Sequence, residues 1–123
     1  MSWHQIKLDR VDILFSKYIR LRDKKCQRCG RKGTGKEGIA GLQNSHFFSR
    51  RKESTRFDEL NCDTLCAGCH KFFTEHRTEF EDWKQKRMSI KEYNLLELRA
   101  NTPVKKDRKM ALIIVKELLK SKE

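Results

Sequence analysis

The spacing of apolar residues predicts helices at both ends of the chain. Near the N-terminus, apolar residues recur every three or four positions, which is typical of one face of an α-helix and indicates a helix over about residues 5–22. These residues are Leu8, Val11, Leu14, Phe15 and Tyr18. A second series at the same spacing, formed by Phe73, His76, Phe80 and Trp83, predicts one helix with an aromatic face from about residue 70 to residue 87.

The C-terminal third predicts two further helices over about residues 89–120. Ser89 and Glu92 have the spacing of a capping box and indicate where the first begins. Pro103 separates it from a last helix over about residues 105–120. The apolar run from Met110 to Val115 exceeds what a lone surface helix needs. It can either cover the core or form a homodimer contact, and the sequence leaves both open.

The middle of the chain has a different pattern. Residues 26–44 are rich in glycine and basic residues, which predicts a knuckle and loop. Short strands are predicted at residues 39–44 and 61–65. The sequence therefore predicts one α+β domain over residues 1–123, with a hairpin-and-helix core over about residues 26–87 and flanking helices on either side.

Composition and charge narrow the function classes. The 123 residues include 29 Lys and Arg against 17 Asp and Glu, for a net charge of +12. Such a charge favours a polyanionic partner, above all nucleic acid. Hydrophobic residues make up only 37% of the chain, which predicts a thin core in need of a further tie such as a metal. The sequence contains neither a membrane-spanning run nor the apolar segment of a signal peptide, so we expect a cytoplasmic protein with no membrane partner.

Four of the five cysteines form two Cys-x-x-Cys pairs, Cys26 with Cys29 and Cys66 with Cys69. Two such pairs can supply the four thiolates of a structural zinc site, which is the interpretation that the spacing favours. Disulfides, a redox pair and c-type haem remain alternatives, the last because His70 directly follows Cys69. The fifth cysteine, Cys62, is predicted to be a small buried residue on a strand.

Polar residues suited to phosphodiester hydrolysis surround the second pair. His46 can be a general base because a histidine is largely neutral at pH 7, and Asn61 can fix the imidazole or the strand pairing without adding charge. His70 can bind a divalent cation. Arg50, Arg51 and Arg56 are candidates for gripping DNA phosphates.

The order His46, Asn61, His70 between the cysteine pairs resembles the HNH endonucleases of the ββα-metal, or His-Me finger, superfamily. Residues 45–50 and 56–61, Ser-His-Phe-Phe-Ser-Arg and Arg-Phe-Asp-Glu-Leu-Asn, look like the phage NinG (Rap) recombination nucleases. The resemblance covers about residues 26–80. Most HNH proteins have an acidic residue or a histidine where Ser45 stands, and colicin-type members have a second helix histidine where Thr74 stands.

The resemblance implies a zinc-stapled ββα-metal core in which His46 and Asn61 are catalytic and His70 holds Mg²⁺ or Mn²⁺ with water and DNA phosphates. It further implies an endonuclease acting in phage recombination or DNA processing, in a bacterial or phage-infected cell. Its substrate would be duplex, branched or single-stranded DNA. The alternative function is a zinc-ribbon protein that binds nucleic acid without cleaving it.

Overall fold

The computed structural model describes residues 7–123, which form an α+β fold with one two-stranded antiparallel hairpin. The class predicted from the sequence is therefore confirmed. In chain order the elements are α1 (Arg10–Asp23), β1 (Leu42–His46), α2 (Glu53–Arg56), a 3-10 turn (Glu59–Asn61), β2 (Cys62–Cys66), α3 (Ala67–Glu75), α4 (Arg77–Lys86), α5 (Ile90–Ala100) and α6 (Arg108–Lys120). Within residues 7–123, no helix is long and apolar enough to cross a membrane.

Helix α1 begins later than the periodicity predicts. Asp9 caps it by accepting hydrogen bonds from the backbone N–H groups of Val11 and Asp12, and the Asp12 side chain accepts from the Asp9 N–H in return. This capping box fixes the start at Arg10. Residues 5 and 6 of the predicted helix lie outside the described residues. The helix ends at Asp23, and the capping residue Lys24 is in the left-handed conformation with φ 64°.

The hairpin is shifted along the chain relative to the prediction. Strand β1 pairs with β2 from Leu42 opposite Cys66 to His46 opposite Cys62. The predicted first strand, residues 39–44, begins too early because Gly41 has a φ of 83° and interrupts an extended backbone there. The predicted second strand, residues 61–65, is displaced by one residue because Asn61 closes the 3-10 turn.

The predicted aromatic helix is two helices, α3 and α4, with the break at His76. The His76 backbone leaves the helical region at φ −129° and ψ 75°. Its Nδ1 donates a hydrogen bond of 2.8 Å to the Phe72 carbonyl, and its ring stacks on Phe72 with 4.2 Å between centroids. We expected His76 to pack with Phe73 and Phe80; it instead lies exposed against Phe72.

Two small cores hold the fold together. The first lies between the hairpin and α3–α4 and contains Leu65 and the stacked rings of Phe73 and Phe80. The second lies between α1 and α6, where Phe15 and Val115 are buried. Helix α6 thus covers α1, as expected if its apolar run covers the core. The other possibility, a homodimer contact, stays a prediction. Helix α5 begins at Ile90, and Ser89 caps it with the predicted capping box.

Candidate functional site

Four cysteines converge where the turn after α1 meets the end of β2 and the start of α3. Their sulfur atoms all lie within 4.8 Å of one another, and the Sγ atoms of Cys29 and Cys66 are 3.7 Å apart. A tetrahedral zinc ion with Zn–S bonds of about 2.3 Å requires sulfur atoms about 3.8 Å apart. The cluster, which also contains Cys26 and Cys69, could therefore bind a zinc ion.

The charge balance of the cluster favours a divalent cation. Burial would raise the pKa of Cys26, but hydrogen bonds from the backbone of Cys29, Cys66 and Arg28 outweigh burial and lower that pKa to about 6. Burial and the neighbouring thiols raise the pKa of Cys69 to about 12, although the Arg28 guanidinium donates to its sulfur at 3.5 Å. One arginine is not enough to hold four thiolates, whereas a divalent metal ion is.

The same geometry bears on the alternatives to zinc. All five cysteines are free, and the distance between Cys29 and Cys66 exceeds the disulfide length of about 2.05 Å. Haem attachment to Cys66 and Cys69 would leave Cys26 and Cys29 without a role in the cluster. Cys62 lies apart, buried on β2 as predicted, and burial raises its pKa well above the ordinary value.

His46 and His70 line the same two adjoining clefts on the surface. The larger cleft, of about 600 Å³, lies between α1 and β1 and is also lined by Asn44 and Arg50. The smaller one, of about 390 Å³, is also lined by Ser45. Of the three residues predicted to act together, His46 and His70 therefore lie at one place on the surface, and Asn61 lines neither cleft.

The imidazole of His46 is held in one tautomer by the loop that follows β1. Its Nε2 lies 2.8 Å from the carbonyl oxygen of Arg56. Because a carbonyl can only accept, Nε2 carries the hydrogen and Nδ1 carries the lone pair. Burial, together with the positive charge of Arg50, lowers the pKa of His46 to about 4, against the raising effect of the Arg56 carbonyl. His46 is therefore neutral at pH 7.

Asn61 organises this loop from inside, through hydrogen bonds to the loop backbone. Its side chain is fully buried, accepts from the Phe48 N–H at 2.8 Å, and donates to the carbonyls of Phe48 at 2.9 Å and Thr55 at 3.0 Å. Its own carbonyl accepts from the Phe47 N–H at 2.9 Å. Asn61 thereby closes the segment between the strands and fixes the backbone just before Arg56.

His70 lies in the first turns of α3 and is oriented by β1. Its Nδ1 lies 2.5 Å from Oε1 of Gln43, an oxygen that accepts, so Nε2 carries the lone pair. Burial lowers the pKa of His70 and favours its neutral, metal-binding form. The Thr74 hydroxyl donates to the His70 carbonyl at 2.8 Å, a contact within the helix.

Two further polar atoms at the clefts are buried and unsatisfied. Within residues 7–123, Oδ1 of Asn44 and Oγ of Ser45 have no hydrogen-bond partner. Leaving a buried polar atom unpaired costs about 1–3 kcal/mol, and such atoms are rare in folded proteins. Sequence reasoning singled out Ser45 as a departure from the HNH pattern but missed Asn44, which no short-range signal marks.

The three candidate phosphate-binding arginines have different environments. Arg50 lines the larger cleft, and Arg51 is exposed in the same turn, so both remain candidates. Arg56 does not. Its guanidinium is buried and paired with Asp12, which corrects the predicted DNA contact to a structural role.

The described residues hold one cluster of three or more metal-ligating side chains, the four cysteines. Within residues 7–123, His70 does not belong to any group of three or more such side chains. A cation at His70 would therefore depend on water and substrate oxygen atoms for most of its remaining ligands.

No protein-family model, curated protein or solved structure matches the chain.

Proposed function

We propose that the protein is a metal-dependent DNA endonuclease in which His46 activates water for attack on a phosphodiester. The observation that carries the proposal is the pairing of two differently oriented histidines at one cleft. His46 has Nε2 occupied by a carbonyl and Nδ1 available as a base, while His70 has Nδ1 occupied by an amide and Nε2 available as a ligand.

The residues divide the chemistry among them. His46 accepts the proton of the attacking water at Nδ1, and the positive imidazole keeps its hydrogen bond to the Arg56 carbonyl. Arg50, at the rim of the same cleft, binds a phosphate oxygen. A divalent cation at His70 would supply charge stabilisation at the phosphate and at the leaving oxygen. The net charge of +12 adds long-range attraction for DNA.

The low pKa of His46 has a kinetic consequence under this proposal. A base with a pKa of about 4 is present in its neutral form throughout the range from pH 6 to pH 9. Its basicity is correspondingly weak, so the reaction depends on geometry and on the cation more than on proton affinity. We expect slow turnover.

Cleavage of supercoiled plasmid with Mg²⁺, Mn²⁺ or EDTA tests the proposal. The parent protein should nick the plasmid only with a divalent cation, and His46→Ala at equal zinc content should lower the rate at least about 100-fold. His76→Ala is the matched control because it removes an exposed imidazole that lines neither cleft. Cleavage by His46→Ala at the parent rate would refute the assignment of the base.

The second candidate function is binding of nucleic acid without cleavage. The observation that favours it is Ser45, a neutral side chain at the smaller cleft beside His70, where a cation would benefit from a charged ligand. A binding module would retard DNA with a strong salt dependence and give no products with any cation. The same plasmid experiment, followed by a gel-shift titration at several salt concentrations, separates the two functions.

A further inference from the structure

Helix α1 contributes a buried acid, Asp12, to the back of the site. The Asp12 carboxylate accepts from both Nε and Nη2 of Arg56, the first at 2.8 Å. The side chains of Asp12 and Arg56 are only 3% and 8% exposed. This bidentate pair joins α1 to the end of α2. Arg56 belongs to the segment that resembles a nuclease core, whereas Asp12 lies outside it.

Arg56 connects this ion pair to the proposed base. Its side chain binds Asp12, while its backbone carbonyl accepts the hydrogen bond from Nε2 of His46. Helix α2 has only four residues and no side-chain cap at its start, so it cannot hold that carbonyl in place by itself. The position of the carbonyl therefore depends on the Asn61 contacts before it and on the guanidinium anchor at Arg56.

A second arginine reinforces the anchor. Arg108, the first residue of α6, pairs with Asp9 and Glu53. The Arg56 guanidinium lies 4.0 Å from each of the same two acids. Two arginines and three carboxylates thus tie the starts of α1, α2 and α6 together. Buried pairs of this kind are often no more stabilising than apolar residues of the same volume. Here these ion pairs matter because they hold the starts of the three helices in a fixed arrangement.

We propose that Asp12 is a positioning residue for His46, acting through the guanidinium of Arg56 on the carbonyl that orients the imidazole. Removing the second hydrogen-bonded oxygen and the charge at Asp12 releases the Arg56 carbonyl, and His46 then exchanges between its two tautomers. The catalytic consequence rests on the proposed nuclease function. The structural consequence, loss of a single His46 tautomer, does not.

The test compares Asp12→Asn with Asp23→Asn, each as the zinc-loaded full chain. Asp23 is the matched control because it lies on the same helix, pairs with Arg22 and accepts from the Thr64 N–H, at the end of α1 away from His46. Long-range ¹H–¹⁵N spectra at pH 7 report the His46 tautomer without any need for activity. Plasmid nicking with Mn²⁺ reports kcat and KM.

We expect Asp12→Asn to show a mixture of His46 tautomers and a kcat lowered about 10- to 100-fold, with KM within twofold of the parent. Asp23→Asn keeps the Nε2–H tautomer and the parent kcat. In addition, Arg56→Gln combined with Asp12→Asn should lower kcat no further than either change alone, because both act through one contact.

The outcomes separate this inference from the proposed function. A parent-like tautomer in folded Asp12→Asn overturns the positioning role whether or not the protein cleaves DNA. Absence of cleavage by the parent with a mixed tautomer in the variant overturns the nuclease and leaves the positioning role standing. If Asp12→Asn does not fold, Arg56→Lys, which keeps the charge pair but loses the two-point hold, must show the mixed tautomer, and a parent-like spectrum refutes the inference.

Discussion

Replacing Asn61 with alanine should destabilise the fold more than almost any other single polar change. The side chain makes three hydrogen bonds of 2.8–3.0 Å to the backbone of Phe48 and Thr55 and is completely buried. At about 1 kcal/mol for each bond, and with three backbone groups left unpaired, the expected loss is about 3–5 kcal/mol. For a domain of this size that corresponds to a fall in Tm of roughly 12–20 °C.

Urea denaturation followed by circular dichroism, at saturating zinc, measures this loss directly. Asn94→Ala is the control because Asn94 is exposed on α5, where alanine should change the free energy of unfolding by less than about 0.5 kcal/mol. An Asn61→Ala protein within about 1 kcal/mol of the parent would show that solvent replaces the three contacts, and the account of the loop would be wrong. Asn61→Asp keeps the acceptor for the Phe48 N–H but loses both donors, and it should be comparably unstable.

Three further predictions concern the metal, pH and the loop before β1. Removing zinc with a chelator should unfold the chain cooperatively, since structural zinc contributes about 10 kcal/mol in comparable sites; circular dichroism and metal release should change together. Burial lowers the pKa of His46 to about 4, so the unfolded chain binds a proton there at higher pH than the folded one. The parent should therefore lose up to about 3 kcal/mol relative to His46→Gln as pH falls from 6.5 to 4, and denaturation curves above pH 7 should show a constant difference. Gly33→Ala should cost about 1–3 kcal/mol by thermal unfolding because the new Cβ meets the Gly38 carbonyl, whereas Gly68→Ala, in open space, should not.

The elements that the sequence predicts well are those with a strong local signal. The capping box at Ser89 and Glu92 marks α5 to the residue, because both halves of the cap are three positions apart in the chain. The two cysteine pairs predict the four-cysteine cluster because the Cys-x-x-Cys spacing suits metal binding, whatever the surrounding fold. Helix α1 and the α+β class follow from periodicity in the same way.

The parts that the sequence could not predict depend on distant partners. Strand β1 contains four polar residues after Leu42, since the site residues occupy it, and it lacks the apolar alternation of an ordinary half-buried strand. The break at His76 arises from a side-chain bond to the Phe72 carbonyl, which periodicity cannot reveal. Arg56 looks like its basic neighbours in the sequence. Only the fold brings it to Asp12, 44 positions away.

The cysteine cluster also bears on the order in which the chain assembles. Each Cys-x-x-Cys pair is local, but residues 30–65 lie between the pairs and include β1, the segment that joins the two strands and all of β2 except its last residue. Zinc bound by both pairs would close that long loop in one step and remove much of the chain entropy that opposes hairpin pairing. Refolding started by adding zinc should then have a rate that rises with the metal concentration and saturates at high concentration. The ion would act as a folding nucleus as well as a staple.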